Sequence, residues 1–168
     1  MSKTFAELIS TLDSSKMKKV AVAVAQDSAV IEAVRAAKDR KIADAILVGD
    51  EAKIKAIAEE ISIDISDFTI INKEDVTEAA LTAVKLVHDG EAAMYMKGII
   101  DTKGFLKSVL DKEVGLRTGK PLSHVCVFDI KGIDHLLFLT DVAFMPYPTL
   151  EDKAAIISNT LQITKACG

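Results

Sequence analysis

The chain of 168 residues has no tryptophan, only two cysteines, three prolines and three arginines. Aromatic residues make up 5% of it, so Val, Ile, Leu and Ala must build the hydrophobic core. Cys126 and Cys167 cannot form the disulfide framework of a small secreted protein. No stretch approaches the roughly 18 apolar residues needed to cross a bilayer, and residues 1–7 lack the apolar core of a signal peptide. These absences predict a cytoplasmic protein without a membrane partner.

The charge pattern and the missing motifs exclude further classes of function. The net charge is −4, and the lysines and arginines are spread along the chain without a basic run. Because a nucleic-acid surface concentrates such residues, we expect no nucleic-acid partner. The histidines show no metal-ligand spacing and the two cysteines lie far apart, which predicts that there is no metal site. A Gly-x-Gly-x-x-Gly fingerprint is absent, which disfavours an oxidoreductase-type nucleotide domain.

Short apolar runs alternate with segments whose apolar residues recur at helical spacing. The run at residues 20–25 is continuously apolar, as expected for a parallel strand covered on both faces. Asp27 follows it as the expected N-cap of a helix, and Thr102 is the expected N-cap of a later one. This alternation predicts an α/β fold, with a mostly parallel sheet in a three-layer α/β/α sandwich.

The pattern changes in the last third of the chain. Apolar runs at residues 124–128 and 135–140 flank a short loop that contains Gly132, which predicts an antiparallel hairpin after about residue 120. We therefore expect an N-terminal α/β portion over residues 1–115. Residues 116–168 would begin a second subdomain, a hairpin followed by a helix.

The final helix is expected to begin at Thr149, after two prolines break the chain. Its apolar residues recur at helical spacing and predict a buried stripe, formed by Leu150, Ala154, Ile157 and Leu161.

The loop after the fourth predicted strand is the strongest candidate for a binding site. Ligands of parallel sheets bind beyond the carboxyl ends of the strands. Lys97 and Gly98 follow a strand and Thr102 precedes a helix, so backbone N–H groups and a positive helix end would face an anion. Lys97, Lys103 and Thr102 could add charge and a hydroxyl donor. The alternative is an ordinary strand-to-helix turn with surface lysines. Taken alone, the sequence of this loop favours that alternative.

Four other residues are candidates for ligand contact. Arg117 offers a planar fork suited to phosphate, although a solvated loop arginine fits equally well. Ser123 and His124 immediately precede a strand, and because adjacent strand residues point to opposite faces, this pair is not a catalytic dyad. The Ser123 hydroxyl could still bind a ligand. Asp141 could position a substrate, but a carboxylate at a strand end more often caps the next turn.

Taken in order, these segments resemble the phosphate acetyltransferase and phosphate butyryltransferase family. The resemblance lies in residues 96–102, 115–119, 122–125, 140–141 and 145–148 and spans essentially the whole chain. The Lys-Gly and Gly-Leu-Arg-Thr-Gly versions of its motifs are closer to the butyryl branch. It implies a homodimeric acyltransferase that moves a short, butyryl-like group reversibly between coenzyme A and inorganic phosphate. Coenzyme A would be a substrate, and no cofactor would be tightly bound.

The resemblance also implies which residues bind and which react. Substrate and phosphate binding would fall to Lys97, Gly98, Thr102, Lys103, Arg117, Ser123, His124 and Asp141. The family's catalytic serine and aspartate belong to a distal half, so we expect the catalytic residues beyond Gly168 and none in this chain. A phosphate-binding arginine of the acetyl branch falls at Lys107. The alternative is a non-catalytic phosphate-, CoA- or partner-binding domain.

Overall fold

The computed structural model describes residues 2–13 and 16–168. Over these residues the helices are α1 (Phe5–Ser10), α2 (Ser28–Asp39), α3 (Glu51–Glu60), α4 (Val76–His88), α5 (Thr102–Val109) and α6 (Leu150–Ala166). The strands are β1 (Lys18–Ala23), β2 (Ala43–Gly49), β3 (Thr69–Asn72), β4 (Met94–Lys97), β5 (Val125–Phe128) and β6 (Leu137–Thr140). No helix within this part of the chain is long and apolar enough to cross a membrane.

Contacts within the chain divide it into two compact units. The sheet unit is Asp13–Arg117 and contains β1 to β4 with α2 to α5. The hairpin unit combines residues 2–12 with Thr118–Gly168 and contains α1, β5, β6 and α6. The first helix therefore belongs with the last third of the chain, a long-range association that no local sequence pattern indicates.

The sheet unit is built on four parallel strands in the order β3-β2-β1-β4. The chain runs outward from β1 to β2 and β3, then returns to place β4 on the other side of β1. Val20 of β1 accordingly lies between Ala45 of β2 and Met94 of β4. The strand order reverses between β1 and β4, and this switch point is where open α/β sheets bind ligands.

Helices cover both faces of this sheet, so the predicted three-layer α/β/α sandwich is confirmed. Val20 and Val22 of β1 face α2 and α3, in a core that also contains Ile31 and Ile54. Ala21 and Ala23 of the same strand face α4 and α5. Alanines recur on that second face at α4 as well, and their small side chains let the helix approach the strands closely.

Each helix of the sheet unit begins at an aspartate. The side chains of Asp27, Asp50, Asp75 and Asp101 cap α2, α3, α4 and α5 and accept a hydrogen bond from the backbone N–H three residues later. The predicted cap at Asp27 is confirmed. Because each helix follows a strand, these carboxylates stand beyond the carboxyl ends of the strands. An anion that binds there must be attracted strongly enough to offset them.

The hairpin unit contains the predicted antiparallel hairpin, which is confirmed. Val125 of β5 lies opposite Thr140 of β6, and Phe128 lies opposite Leu137. The backbone N–H of Phe5 in α1 donates a hydrogen bond of 2.9 Å to the carboxylate of Asp129, just after β5. This bond joins the N-terminal helix to the hairpin within the same unit.

The last helix begins where the sequence predicts, but the face that it buries differs. Thr149 caps α6 and forms a capping box with Asp152. Leu150, Ile157 and Leu161 of the predicted buried stripe are 79%, 60% and 51% exposed, and Ala154 is exposed as well. Ile156 is buried instead. The prediction was wrong because α6 carries apolar residues on more than one side, and periodicity does not decide which side the rest of the unit covers.

Candidate functional site

The loop after β4 is held against the end of β1. The backbone N–H of Gly98 donates to the carbonyl of Ala23 at 2.9 Å, and that of Ile99 donates to the carbonyl of Val24 at 3.0 Å. Val24 has a φ of +58°, a left-handed conformation that a β-branched residue rarely adopts. The side chain of Ile100 is buried in the core below. The backbone of the loop is therefore fixed at the switch point of the sheet.

Gly98 is required by close packing. A Cβ atom at this position would lie 2.2 Å from the carbonyl oxygen of Val24 and 2.6 Å from that of Ala23. Both neighbours are backbone atoms, one in the last residue of β1 and one in the residue that follows it, and they cannot move aside without shifting the strand. Gly98 thus lets the loop approach β1, which positions the residues that follow it.

The helix after the loop is capped by Asp101, so the prediction that Thr102 caps it was wrong. The backbone of Asp101 is extended, and its carboxylate accepts a hydrogen bond of 2.7 Å from the N–H of Gly104. Thr102 is the first residue of α5. Aspartate is a stronger N-cap than threonine, and its position three residues before Gly104 was the signal that could have identified it. Thr102 keeps its exposed hydroxyl available for another partner.

The first turn of α5 presents the groups that an oxyanion needs. The N–H groups of Thr102 and Lys103 have no acceptor within the helix because they belong to its first turn. The side chains of Lys97, Thr102 and Lys103 are exposed, and the first turn carries no acidic residue. The carboxylate of Asp101 opposes this attraction. The arrangement can bind an oxyanion, with the lysines needed to outweigh the cap.

Arg117 belongs to the sheet unit but is anchored at the other end of α5. The N–H of Leu116 donates to the carbonyl of Val109 at 2.8 Å, and Nδ1 of His88 lies 3.0 Å from the carbonyl oxygen of Gly115. Since α5 has eight residues, the backbone of Arg117 starts roughly 12 Å from the first turn. Its side chain is exposed.

Asp141 organises the end of the hairpin. Its Oδ1 accepts hydrogen bonds from the backbone N–H groups of His124, Ala143 and Phe144. The bond from Ala143 lowers the pKa of this carboxyl most, those from Phe144 and His124 lower it further, and burial acts in the opposite direction. A carboxylate with a lowered pKa is a weak proton acceptor. The geometry favours the turn-holding interpretation of Asp141.

Ser123 and His124 lie just before β5, and their side chains have separate surroundings. The ring of His124 meets that of Phe144 edge-on, with centroids 6.0 Å apart, and lies 3.8 Å from Sγ of Cys126. Ser123 accepts a hydrogen bond of 2.9 Å from Nδ2 of Asn159 on α6. Sequence reasoning did not identify Asn159 as a site residue, because 36 residues separate it from Ser123 and no local spacing connects them.

The candidate residues fall into two groups. Lys97, Gly98, Thr102, Lys103 and Arg117 belong to the sheet unit, whereas Ser123, His124 and Asp141 belong to the hairpin unit. The structure brings the loop residues together and, separately, brings Ser123, His124 and Asp141 together. That both groups contact one substrate stays a prediction. No cluster of three or more His, Cys, Asp or Glu side chains suited to a metal occurs among the described residues.

Comparison with known proteins gives a consistent result over the whole chain. The family model described as Phosphate acetyl/butaryl transferase matches residues 4–80 and 73–168. The phosphate butyryltransferase of Clostridium beijerinckii is 55% identical over 168 residues, all of this chain and 56% of that protein. That of Clostridium acetobutylicum is 56% identical, with the same two shares covered. The chain spans about half the length of the curated relatives it matches.

A solved structure agrees with these matches. The branched-chain phosphotransacylase from Enterococcus faecalis V583 has a TM-score of 0.71 and 25% sequence identity to this chain. The match covers 89% of this chain and 51% of that one. The resemblance to phosphate acetyl- and butyryltransferases stated from the motifs is therefore confirmed.

Replacing Gly98 with alanine tests whether the loop depends on its contact with β1. The new Cβ would collide with backbone, so we expect a loss of about 1–3 kcal/mol in the free energy of unfolding. Gly104→Ala is the matched control, because its Cβ would meet side-chain atoms and no backbone, those of Ile100 at 3.2 Å and Oδ1 of Asp101 at 3.6 Å. The control should change stability by less than about 1 kcal/mol. Urea unfolding followed by circular dichroism measures both, and equal stability of the two variants would contradict the account.

The lowered pKa of Asp141 predicts a pH-dependent contribution to stability. Because the pKa is lower in the folded state, the contribution is fully present above the ordinary carboxyl pKa of about 4 and is lost as pH falls through the folded value. Asp141→Asn removes this titration but keeps an acceptor oxygen. Between pH about 6 and pH about 3, the melting temperature of the wild type should fall more than that of the variant. Parallel curves would show that Asp141 makes no such contribution.

Proposed function

Because the chain belongs to the phosphate acetyl/butaryl transferase family, we propose that it acts in reversible transfer of a short acyl group between coenzyme A and inorganic phosphate. An acyl-CoA and phosphate would give an acyl phosphate and free coenzyme A. A butyryl-like group is the proposed acyl group, since the two clostridial relatives are named phosphate butyryltransferase. The observation that carries the proposal is the fixed loop at the switch point, with Lys97, Thr102 and Lys103 at a helix N-terminus.

This loop suits the phosphate end of the reaction. Inorganic phosphate and the phosphoryl group of an acyl phosphate both present several anionic oxygens. The ammonium groups of Lys97 and Lys103 and the first-turn N–H groups would neutralise and orient them. The hydroxyl of Thr102 would donate a hydrogen bond to one oxygen. Donors already in place at the bound phosphate also hold the attacking oxygen close to the acyl carbonyl.

The candidate residues are assigned to binding and none of them to proton transfer. Asp141 already accepts three backbone hydrogen bonds and has a lowered pKa, so it would be a poor base. The ring of His124 packs against Phe144 and Cys126. We therefore assign the general base that assists the attack of phosphate or of the coenzyme A thiol to neither Asp141 nor His124.

We also infer how the protein uses coenzyme A, how it associates and in which cellular compartment it acts. Coenzyme A would act as a substrate, and no cofactor would be held tightly. The exposed apolar residues of α6, with Leu150 79% exposed, support association as a homodimer. Cys126 and Cys167 are free thiols, as expected in the reducing cytoplasm.

Incubation of the 168-residue chain with butyryl-CoA and inorganic phosphate tests the proposed function. Release of the coenzyme A thiol should require phosphate. Lys97→Ala and Thr102→Ala should each raise the phosphate concentration needed for half-maximal release about three- to tenfold, because each removes one exposed contact to a phosphoryl oxygen.

Lys53→Ala is the matched control. Lys53 lies in the first turn of α3, which covers the opposite face of the sheet from α5, and pairs with Asp50 at 2.7 Å. This variant should retain the wild-type requirement for phosphate. If the chain binds both substrates but releases no thiol, self-sufficient catalysis by these 168 residues is excluded, whereas the assignment of phosphate binding to the loop stands. An equal effect of all three variants would contradict the assignment of the loop.

A further inference from the structure

Asn159 on α6 is hydrogen-bonded to the segment just before β5. Its Nδ2 donates to the carbonyl oxygen of Pro121 at 3.2 Å and to Oγ of Ser123 at 2.9 Å. Asn159 is half-buried and lies one turn after the buried Ile156, on the side of α6 that packs within the hairpin unit. Both N–H bonds of its amide group are therefore used within this unit.

The carbonyl of Pro121 determines the orientation of the amide. A carbonyl oxygen can only accept a hydrogen bond, so the NH₂ group of Asn159, and not its oxygen, must face it. The same NH₂ group then donates to Ser123, whose hydroxyl oxygen is the acceptor. The hydroxyl oxygen of Ser123 therefore accepts a hydrogen bond through one lone pair, while the hydroxyl proton is not used in this bond.

The proton of Ser123 is consequently free for a ligand. Within the described part of the chain, Asn159 is the only hydrogen-bond partner of this hydroxyl. Ser123 is half-buried, so part of its surface is open to a ligand. A hydroxyl that accepts from an amide also becomes a stronger donor, because linked hydrogen bonds polarise one another.

We propose that Asn159 is a positioning residue that makes Ser123 a dedicated hydrogen-bond donor to an oxyanion of the phosphate class. The inference rests on the proposed function, which assigns Ser123 to substrate binding. It adds that Ser123 donates the hydrogen bond to the substrate and that Asn159 determines this direction. Asn159 itself does not contact the substrate and acts through the hydroxyl of Ser123.

A double-mutant cycle on the binding of inorganic phosphate to the 168-residue chain tests the inference. Ser123→Ala removes the donor, and Asn159→Leu removes the positioning amide at similar side-chain volume. Each should weaken phosphate binding about three- to tenfold. The double variant should bind no more weakly than Ser123→Ala alone, because Asn159 has no other route to the ligand. A merely structural role of Asn159 would instead weaken binding in the Ser123→Ala background as well.

Two further variants keep the test decisive. Asn159→Asp preserves size but offers only acceptors at neutral pH, so the Ser123 proton should turn toward it and phosphate binding should weaken at least as much. This variant replaces Asn159→Leu if the latter loses its circular dichroism spectrum. Gln162→Leu removes an exposed amide from the same helix and should bind phosphate like the wild type.

The outcomes separate this inference from the proposed function. If Ser123→Ala weakens binding and the Asn159 variants do not, the positioning role is overturned and the phosphate site stands. If Ser123→Ala binds like the wild type while Lys97→Ala is weakened, the donor role of Ser123 is overturned and the loop assignment survives. A wild-type chain that does not bind phosphate would overturn both.

Discussion

The contact between Gly98 and the end of β1 is the constraint on which the geometry of the site depends. Two backbone hydrogen bonds hold residues 98 and 99 against the carbonyls of Ala23 and Val24, at a distance that leaves no room for a side chain. This approach brings β4 alongside the central strand and fixes where α5 begins. The first turn of α5, with Thr102 and Lys103, is consequently held at the switch point of the sheet. The substrate-binding interpretation depends on that placement.

Negative and positive side chains oppose one another at the carboxyl ends of the strands. Four aspartates cap the helices that follow the strands, so each of these helix caps places a negative charge at the carboxyl ends of the strands. The cap of α5 is one of these carboxylates, yet the first turn that it begins has no acidic residue and contains Lys103. Lys97 adds a second cation. The proposed binding of phosphate at this helix requires that the lysines offset the cap that the helix itself needs.

Local patterns in the sequence were sufficient to predict the layers of the fold, and local motifs were sufficient to predict the family. The continuous apolar run at residues 20–25 identified a strand buried on both faces, and Asp27 identified a helix start. Both are signals within one turn or one strand. What could not be predicted depends on contacts between distant segments. The buried side of α6 is set by the hairpin unit as a whole, and the bond from Asn159 to Ser123 joins residues 36 apart. The cap at Asp101 was a local signal that was misread in favour of its neighbour.

The central claim is that phosphate binds at the first turn of α5. Titration of inorganic phosphate into the ¹⁵N-labelled chain, followed by amide NMR, measures this directly. The account predicts saturable shifts of the Thr102 and Lys103 amides that need about three- to tenfold more phosphate in Lys97→Ala, with little change at Ala52 and Lys53 in the first turn of α3. Shifts of equal size at both helices, or none at Thr102 and Lys103, would contradict it.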